Sequence, residues 1–334
     1  MPNLYLSNLP APYRMDFYRS LHRNLSCIIC FQDVQDGVAG VPVRRWNLRM
    51  LPALMRELRP SLAIVPEFSG AAVLASLLKN KYGCKVVSTC DDSMDMIRGN
   101  DFGWKHRLAR RVVPRLLDEI VLHSPAVRDW YRERFGKGVF MPIIADEERV
   151  RPAMEAALPL AERLRPSGKP VVAFVGRLVG LKNVPTLIRA FEPLQERAQL
   201  VIVGDGPERE ALRAMAPHAR FTGMLSGEEL LAWYNLIDVL VLPSTQEAYG
   251  AVTGEALMAG AKVVVSWKAG SSDLVREGEN GYVVDPMDAA GVTRCIGSLL
   301  DQIPDNRPLT LRDSLSPYSF QPCVQGLIHE INAL

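Results

Sequence analysis

The sequence has no long apolar run. No segment reaches the roughly 18–20 residues that a membrane-spanning helix needs. The N-terminal "MPNLYLSNLPAPYRMDF" lacks a charged region followed by an apolar core, so it does not read as a signal peptide. A cytoplasmic location is the expectation. Cysteine is scarce and scattered: six residues, of which only Cys27 and Cys30 form a CxxC, inside the apolar run "SCIICFQDV". There is no second CxxC and no histidine pair at zinc spacing, so reduced core thiols and no metal site are expected. Aromatics make up 7% of the chain and do not interleave with the basic stretch, and the net charge is only +2, which argues against a nucleic-acid partner.

Several phosphate-binding signatures are also missing. GxxxxGK[ST] is absent. "VIVGDGPERE" has Gly204 and Gly206 after an apolar run, but Arg209 stands where a dinucleotide fingerprint needs its third glycine. In "CDDSMD", Asp91, Asp92 and Asp95 are not at DxD spacing. No internal repeat or low-complexity tract is found.

What is present is a globular composition, 48% apolar and 23% charged, over 334 residues. That length suggests two domains of roughly 150 residues each. Residues 1–150 carry 22 Lys/Arg and 16 Asp/Glu, or +6, and the remainder carries 17 and 21, or −4. The first half is therefore the one expected to meet an anionic partner.

The second half alternates uniformly apolar strands with helices: "PVVAFVG", "AQLVIVGDG", "ARFTGML", "DVLVLPS" and "AKVVVSW" read as strands. Such runs belong to a parallel sheet covered on both faces. Ser226 is a candidate helix N-cap, with Glu229 three residues on. The first half repeats the style in "NLYLSN", "LSCIICFQD", "LAIVPEF", "CKVVSTC" and "EIVLHS". A linker is expected from about 143 to 168, and "SPYSFQPCVQGLIHEINAL" reads as a final helix. The fold class is α/β, with domains at 1–150 and 151–315 and a tail at 316–334. Ligands in such sheets bind beyond the carboxyl ends of the strands.

The residues there are informative. In "VGRLVGLKN", Gly176 ends a strand, and Arg177 and Lys182 follow before a helix, an arrangement suited to a diphosphate. In "STQEAYGAVTGEALMAG", Glu247 falls in a loop, a helix is expected to begin near Gly250, and Glu255 lies in that helix on the side of Ala251. A carboxylate beside an anion site makes sense if it grips hydroxyls. The local picture is one acid for a sugar, one for a ribose, and cations with helix-start N–H groups for the phosphates between.

These motifs resemble the retaining GT-B glycosyltransferases of the large family four, glycosyl transferases group 1. The likeness runs over about 171–286 and is carried by "FVGRLVGLKN", "LVIVGDGPERE", "FTGMLS", "LPSTQEAYGAVTGEALMAG" and "ENGYVVDP". It implies two Rossmann-like doubly wound domains facing across a cleft, with the tail helix returning to the first. It also implies transfer of a sugar, with retention and without a metal, from a nucleotide-diphosphate donor, UDP or GDP, to a glycan or lipid-linked acceptor. Arg177 and Lys182 would bind the diphosphate, Glu247 the donor sugar and Glu255 the ribose. Ala248, Tyr249 and Gly250 would offer backbone N–H groups. Gly204, Gly206 and Met224 would line the nucleotide pocket. No cofactor beyond the donor is implied. A nucleotide-sugar epimerase or phosphorylase on the same fold, and a non-catalytic nucleotide-sugar-binding protein, remain open.

The first half fits the family loosely. "SNLPAPYRMDFY" stands where many members have a glycine-rich loop, so Pro10 and Arg14 are candidates to face the donor or acceptor. Cys90, Asp91 and Asp92 stand where many have a histidine. Asp91 could orient the donor sugar or the acceptor hydroxyl, or simply cap the next helix. His123 and Glu67 also follow strands. "WKHRLARRVVPRL" has five cations between Lys105 and Arg115, with Leu108, Val112 and Leu116 as an apolar stripe expected opposite Arg107, Arg111 and Arg115. Such a helix could dock on an anionic membrane, at the membrane's inner face. A solvated helix face is the plainer alternative.

Overall fold

The computed structural model describes residues 2–33, 40–99, 103–165, 168–304 and 307–334. The chain divides into two compact units, Met1–Ala145 with Phe320–Leu334, and Asp146–Ser319.

Unit 1 is built on a parallel sheet. Its strands are β1 (Asn3–Ser7), β2 (Cys27–Phe31), β3 (Val43–Arg45), β4 (Leu62–Pro66), β5 (Lys85–Cys90), β6 (Glu119–Leu122) and β7 (Val139–Phe140). Their order in the sheet is β3-β2-β1-β4-β5-β6-β7. The strand order reverses between β1 and β4, so the crevice beyond their carboxyl ends is the place for a ligand. β4 is buried at every position, as a strand covered on both faces must be. The short edge strands β3 and β7 were not anticipated from the sequence. β3 is only "VRR" and mostly exposed, so it has no apolar run to announce it. The side chains of Ser69, Ser93 and Ser124 accept hydrogen bonds from the first-turn amides of the helices they precede.

Unit 2 has β8 (Val171–Val175), β9 (Gln199–Val203), β10 (Arg220–Gly223), β11 (Val239–Leu242), β12 (Lys262–Ser266) and β13 (Gly281–Val284), ordered β10-β9-β8-β11-β12-β13 and all parallel. Here the reversal lies between β8 and β11. β13 begins at a glycine because a Cβ there would lie 2.0 Å from the Val263 carbonyl oxygen. Both units are thus doubly wound α/β sheets.

The stretch expected to be a linker is largely two helices, Glu147–Ala156 and Leu158–Leu164, and both pack on the helix Gly227–Leu236 of unit 2. That packing puts the boundary at Ala145/Asp146. The tail helix, Phe320–Asn332, buries Phe320, Val324, Leu327 and Ile331 and packs on β7 and on the helix Met15–Leu25 within unit 1. Ser226 stands at the N-cap position of the helix Gly227–Leu236, but its side chain makes no capping hydrogen bond. Cys27 and Cys30 are buried thiols three residues apart on β2, and burial pushes each up to about 12. No helix among the described residues is long and apolar enough to cross a membrane.

Candidate active site

In unit 2 the loops after β8, β9 and β11 meet at the reversal point. After β8 the chain turns at Gly176 (φ +152°) and runs past Arg177 into a short 3-10 turn, Gly180–Lys182. Four hydrogen bonds tie this loop to its neighbours. The Leu178 amide donates to the Asp205 carbonyl at 2.9 Å, and the Thr245 amide donates to the Leu181 carbonyl at 2.9 Å. Asn183, in the left-handed conformation (φ 53°), donates through its side-chain amide to the Pro243 and Pro286 carbonyls at 3.1 and 2.8 Å. Asn183 is therefore a strut between the loops after β8, β11 and β13, a role the sequence reading did not assign.

The glycines of "VGDG" are sterically required. A Cβ on Gly204 would sit 1.8 Å from the Gly176 carbonyl oxygen, and one on Gly206 would sit 2.3 Å from that of Leu178. The loops after β8 and β9 are packed backbone to backbone. The result is a mostly apolar pocket of about 360 Å³, lined in part by Gly176, Arg177, Gly204, Gly206 and the exposed Met224. Its wall of backbone and thin apolar side chains suits a flat ring, and Arg177 stands at its rim.

Lys182 and Glu247 touch: the ammonium donates to Glu247 Oε2. The pair is partly buried, with the side chains 23% and 13% exposed. The helix after Glu247 runs from Val252 to Met258, two residues later than expected. The delay follows from the backbone at Gly250, whose positive φ is not helical. Gly250 turns with φ +91°, and a Cβ there would lie 2.6 Å from Leu242 Cδ2 and 2.9 Å from Ser271 Oγ. The turn is further tied by the Ser271 amide donating to the Tyr249 carbonyl at 2.8 Å. Ala248 is exposed, Tyr249 is buried, and Gly250 and Ala251 are half-buried.

Glu255 does not line the pocket described above. Its carboxylate accepts a hydrogen bond from the Tyr234 hydroxyl, a partner contributed by the helix Gly227–Leu236. Burial raises its pKa, and the tyrosine hydrogen bond only partly offsets that. Tyr234 sits in an apolar helical pattern, so nothing in the sequence marked it as this partner.

In unit 1 the carboxyl ends of β1, β5 and β6 supply a cluster. Arg14, 8% exposed, donates to Asp91 Oδ1 and lies 3.2 Å from His123 Nε2. His123 Nε2 is 3.0 Å from Asp91 Oδ1, and its Nδ1 is 2.6 Å from the Met141 carbonyl. His123 thus bridges Asp91 and the Met141 carbonyl, with its Nε2 also beside the Arg14 guanidinium. Burial alone would raise Asp91, but the Arg14 guanidinium and His123 hold it well below the usual carboxylate range. Its side chain remains 31% exposed. Glu67, at the end of β4, has φ 52°, unusual for a non-glycine residue. Burial, then the charges of Asp91 and Asp92, push it up to about 7. Pro10 is half-buried in the loop after β1.

The two adjacent aspartates have separate jobs. Asp92 accepts two hydrogen bonds from Arg110, at 2.8 and 2.7 Å, and one from Tyr131 at 2.7 Å, so it ties helices together. The cap of the next helix is Ser93, not an aspartate. Asp91 is left facing the arginine and histidine.

The basic helix, Trp104–Leu116, also differs from expectation. Val113 and Pro114 are its buried residues, while Leu108 and Val112 are 51% and 45% exposed. Arg107, Arg111 and Arg115 lie beside that apolar stripe, each one residue before one of its members, not opposite it.

Known proteins of similar sequence and fold identify the class. Residues 169–302 match the model of the family "Glycosyl transferases group 1". The chain is 32% identical over 298 residues to the GDP-mannose-dependent alpha-(1-6)-phosphatidylinositol monomannoside mannosyltransferase of Mycobacterium tuberculosis, covering 81% of this chain and 77% of that one. It is 29% identical over 303 residues to a glycogen synthase of the same organism, covering 82% and 71%. The fold matches Anabaena Alr3699/HepE, crystallised in complex with UDP, with a TM-score of 0.81 at 16% identity over the full length of both chains. It also matches the apo lipopolysaccharide outer core galactosyltransferase WaaB, with a TM-score of 0.74 at 15% identity, over 100% of this chain and 99% of that one. The chain belongs to the glycosyl transferases group 1 family.

Proposed function

We propose that this protein transfers a sugar from a nucleotide-diphosphate donor to a hydroxyl of a glycan or lipid-linked acceptor, with retention of configuration and without a metal. One observation carries the reading: the loops after β8 and β11 bring Lys182 and Glu247 into contact at the reversal point of unit 2, and the same loop after β8 contributes Arg177 to the pocket. The base lies in that pocket. Arg177 and Lys182 meet the diphosphate and stabilise its developing charge as it leaves, with the backbone N–H groups from Ala248 to Ala251 adding to them. Glu247 turns from Lys182 to the sugar hydroxyls. Glu255 takes the ribose hydroxyls and keeps Tyr234 as its support. A departing phosphate oxygen accepts the proton of the acceptor hydroxyl, which attacks on the same face. Asp91, fixed by Arg14 and His123, orients a sugar or acceptor hydroxyl from unit 1.

GDP-mannose is the first donor to test, because the mycobacterial mannosyltransferase relative is named for it. The exposed Trp104, Leu108 and Val112, together with the neighbouring cations, support contact with an anionic membrane. The test is transfer from GDP-mannose, UDP-glucose and ADP-glucose in the presence of a chelator, with the anomer of the product read by NMR. An α-linked product from an α-donor is expected. An inverted product, or turnover abolished by chelation, overturns the corresponding part.

A further inference from the structure

Unit 1 holds a recess of about 590 Å³ that the donor chemistry does not use. Five arginines line it: Arg107, Arg110, Arg111, Arg115 and Arg134. No acidic residue is among its lining residues, within the described residues. Three of the arginines, at 107, 111 and 115, recur every fourth residue along the helix Trp104–Leu116 and so share one face. Arg134 comes from a different helix, Pro125–Phe135, and closes the recess from another side.

The aromatic residues organise these cations. The Arg134 guanidinium lies 4.2 Å from the Trp130 ring centroid, and that of Arg115 lies 5.2 Å from the Phe135 centroid. Stacking uses the face of a guanidinium, so the N–H edge of Arg134 is left to meet a planar or tetrahedral oxyanion, while Arg115 also donates to the Arg111 carbonyl. Arg110 is pinned from behind by both oxygens of Asp92. With Arg110 paired to Asp92, the positive charge that an entering anion would meet comes chiefly from Arg111, Arg115 and Arg134.

We propose that this recess binds the phosphate or diphosphate group of an ester, with Arg111 and Arg134 as its principal ligands. The proposal extends the reading of unit 1 as the acceptor side. The ester is either an anionic lipid headgroup, presented where Trp104, Leu108 and Val112 meet the membrane, or a soluble phosphate compound.

The experiment reads binding, not transfer, so it fails separately from the transferase reading. Inorganic pyrophosphate is titrated calorimetrically at low salt into Arg177→Ala/Lys182→Ala protein, which lacks the diphosphate cations of unit 2. Binding is expected to persist. Adding Arg111→Ala/Arg134→Ala should weaken it about tenfold or more, and Arg111→Lys/Arg134→Lys, which keeps charge but loses the planar fork, should weaken it less. Circular dichroism and melting confirm that each variant is folded. Sedimentation with phosphatidylglycerol/phosphatidylcholine vesicles distinguishes the sources. Adsorption that pyrophosphate displaces and the pocket variant loses assigns a headgroup, whereas pyrophosphate binding without adsorption assigns a soluble ester. Pyrophosphate binding that disappears with Arg177 and Lys182, together with vesicle behaviour indifferent to Arg111 and Arg134, overturns the proposal.

Discussion

Lys182 and Glu247, 65 residues apart, form an ion pair between the loops that follow β8 and β11. The ammonium of Lys182 donates to Glu247 Oε2. A donor diphosphate offers the ammonium a second anion, and donor hydroxyls offer the carboxylate a second set of donors. In the proposed reaction the ion pair would keep both groups positioned for the donor.

Replacing Glu247 separates its two roles. Glu247→Ala frees Lys182, so nucleoside diphosphate should bind as tightly as to the wild type or more so. Transfer should fall by about 100-fold, because the sugar loses its grip only where the transition state needs it. Calorimetry with GDP or UDP, alongside steady-state kinetics, checks this. Equal losses in both would assign Glu247 to scaffolding.

Asp91 should stabilise unit 1 in a pH-dependent way. Its pKa is depressed from the ordinary 3.8 by Arg14 and His123. Its contribution is therefore full above 3.8 and lost as pH falls through the lower folded value. Asp91→Ala should cost about 2–3 kcal/mol at pH 7, since it strands the buried Arg14. Urea melts of variant and wild type should converge toward pH 2.

Glu255 should show the opposite sign. Burial raises its folded pKa above 4.5, so it favours the fold at acid pH and that contribution is lost as pH rises through the raised value. Glu255→Gln should melt higher than the wild type at pH 7.5, with the gain shrinking by pH 4. If the carboxylate holds the ribose, the same variant should bind donor more weakly. Differential scanning calorimetry with and without donor separates the two effects.

Gly204 should tolerate no side chain. Gly204→Ala forces a methyl against the Gly176 carbonyl. A loss of about 3 kcal/mol and of the pocket is expected. Denaturant melts and donor titration check both. A stable variant with intact binding would refute the backbone-to-backbone packing.

Much of this was legible in the chain. The apolar runs of β8 to β12 announce a covered parallel sheet, and the cations and acids after its strands point to the site. The partnerships were less legible. Lys182 and Glu247 come from different loops, and only the strand order, which skips from β8 to β11, brings them together. Asp91 and Asp92 are chemically identical neighbours, and only the directions of Arg14 and Arg110 tell them apart. Tyr234 lies within an apolar helical pattern and gives no sign that it meets Glu255. β3 and β7 are too short to carry a periodic signal.

The most direct measurement is a thermal shift with GDP-, UDP- and ADP-sugars in chelator, on wild type and Lys182→Ala. A ligand that binds only the folded state raises the melting temperature. A shift with one nucleotide class, GDP-mannose first, is expected, and it should be lost or strongly reduced in Lys182→Ala. No shift with any nucleotide sugar at millimolar concentration, or an equal shift in the variant, would contradict the proposed function.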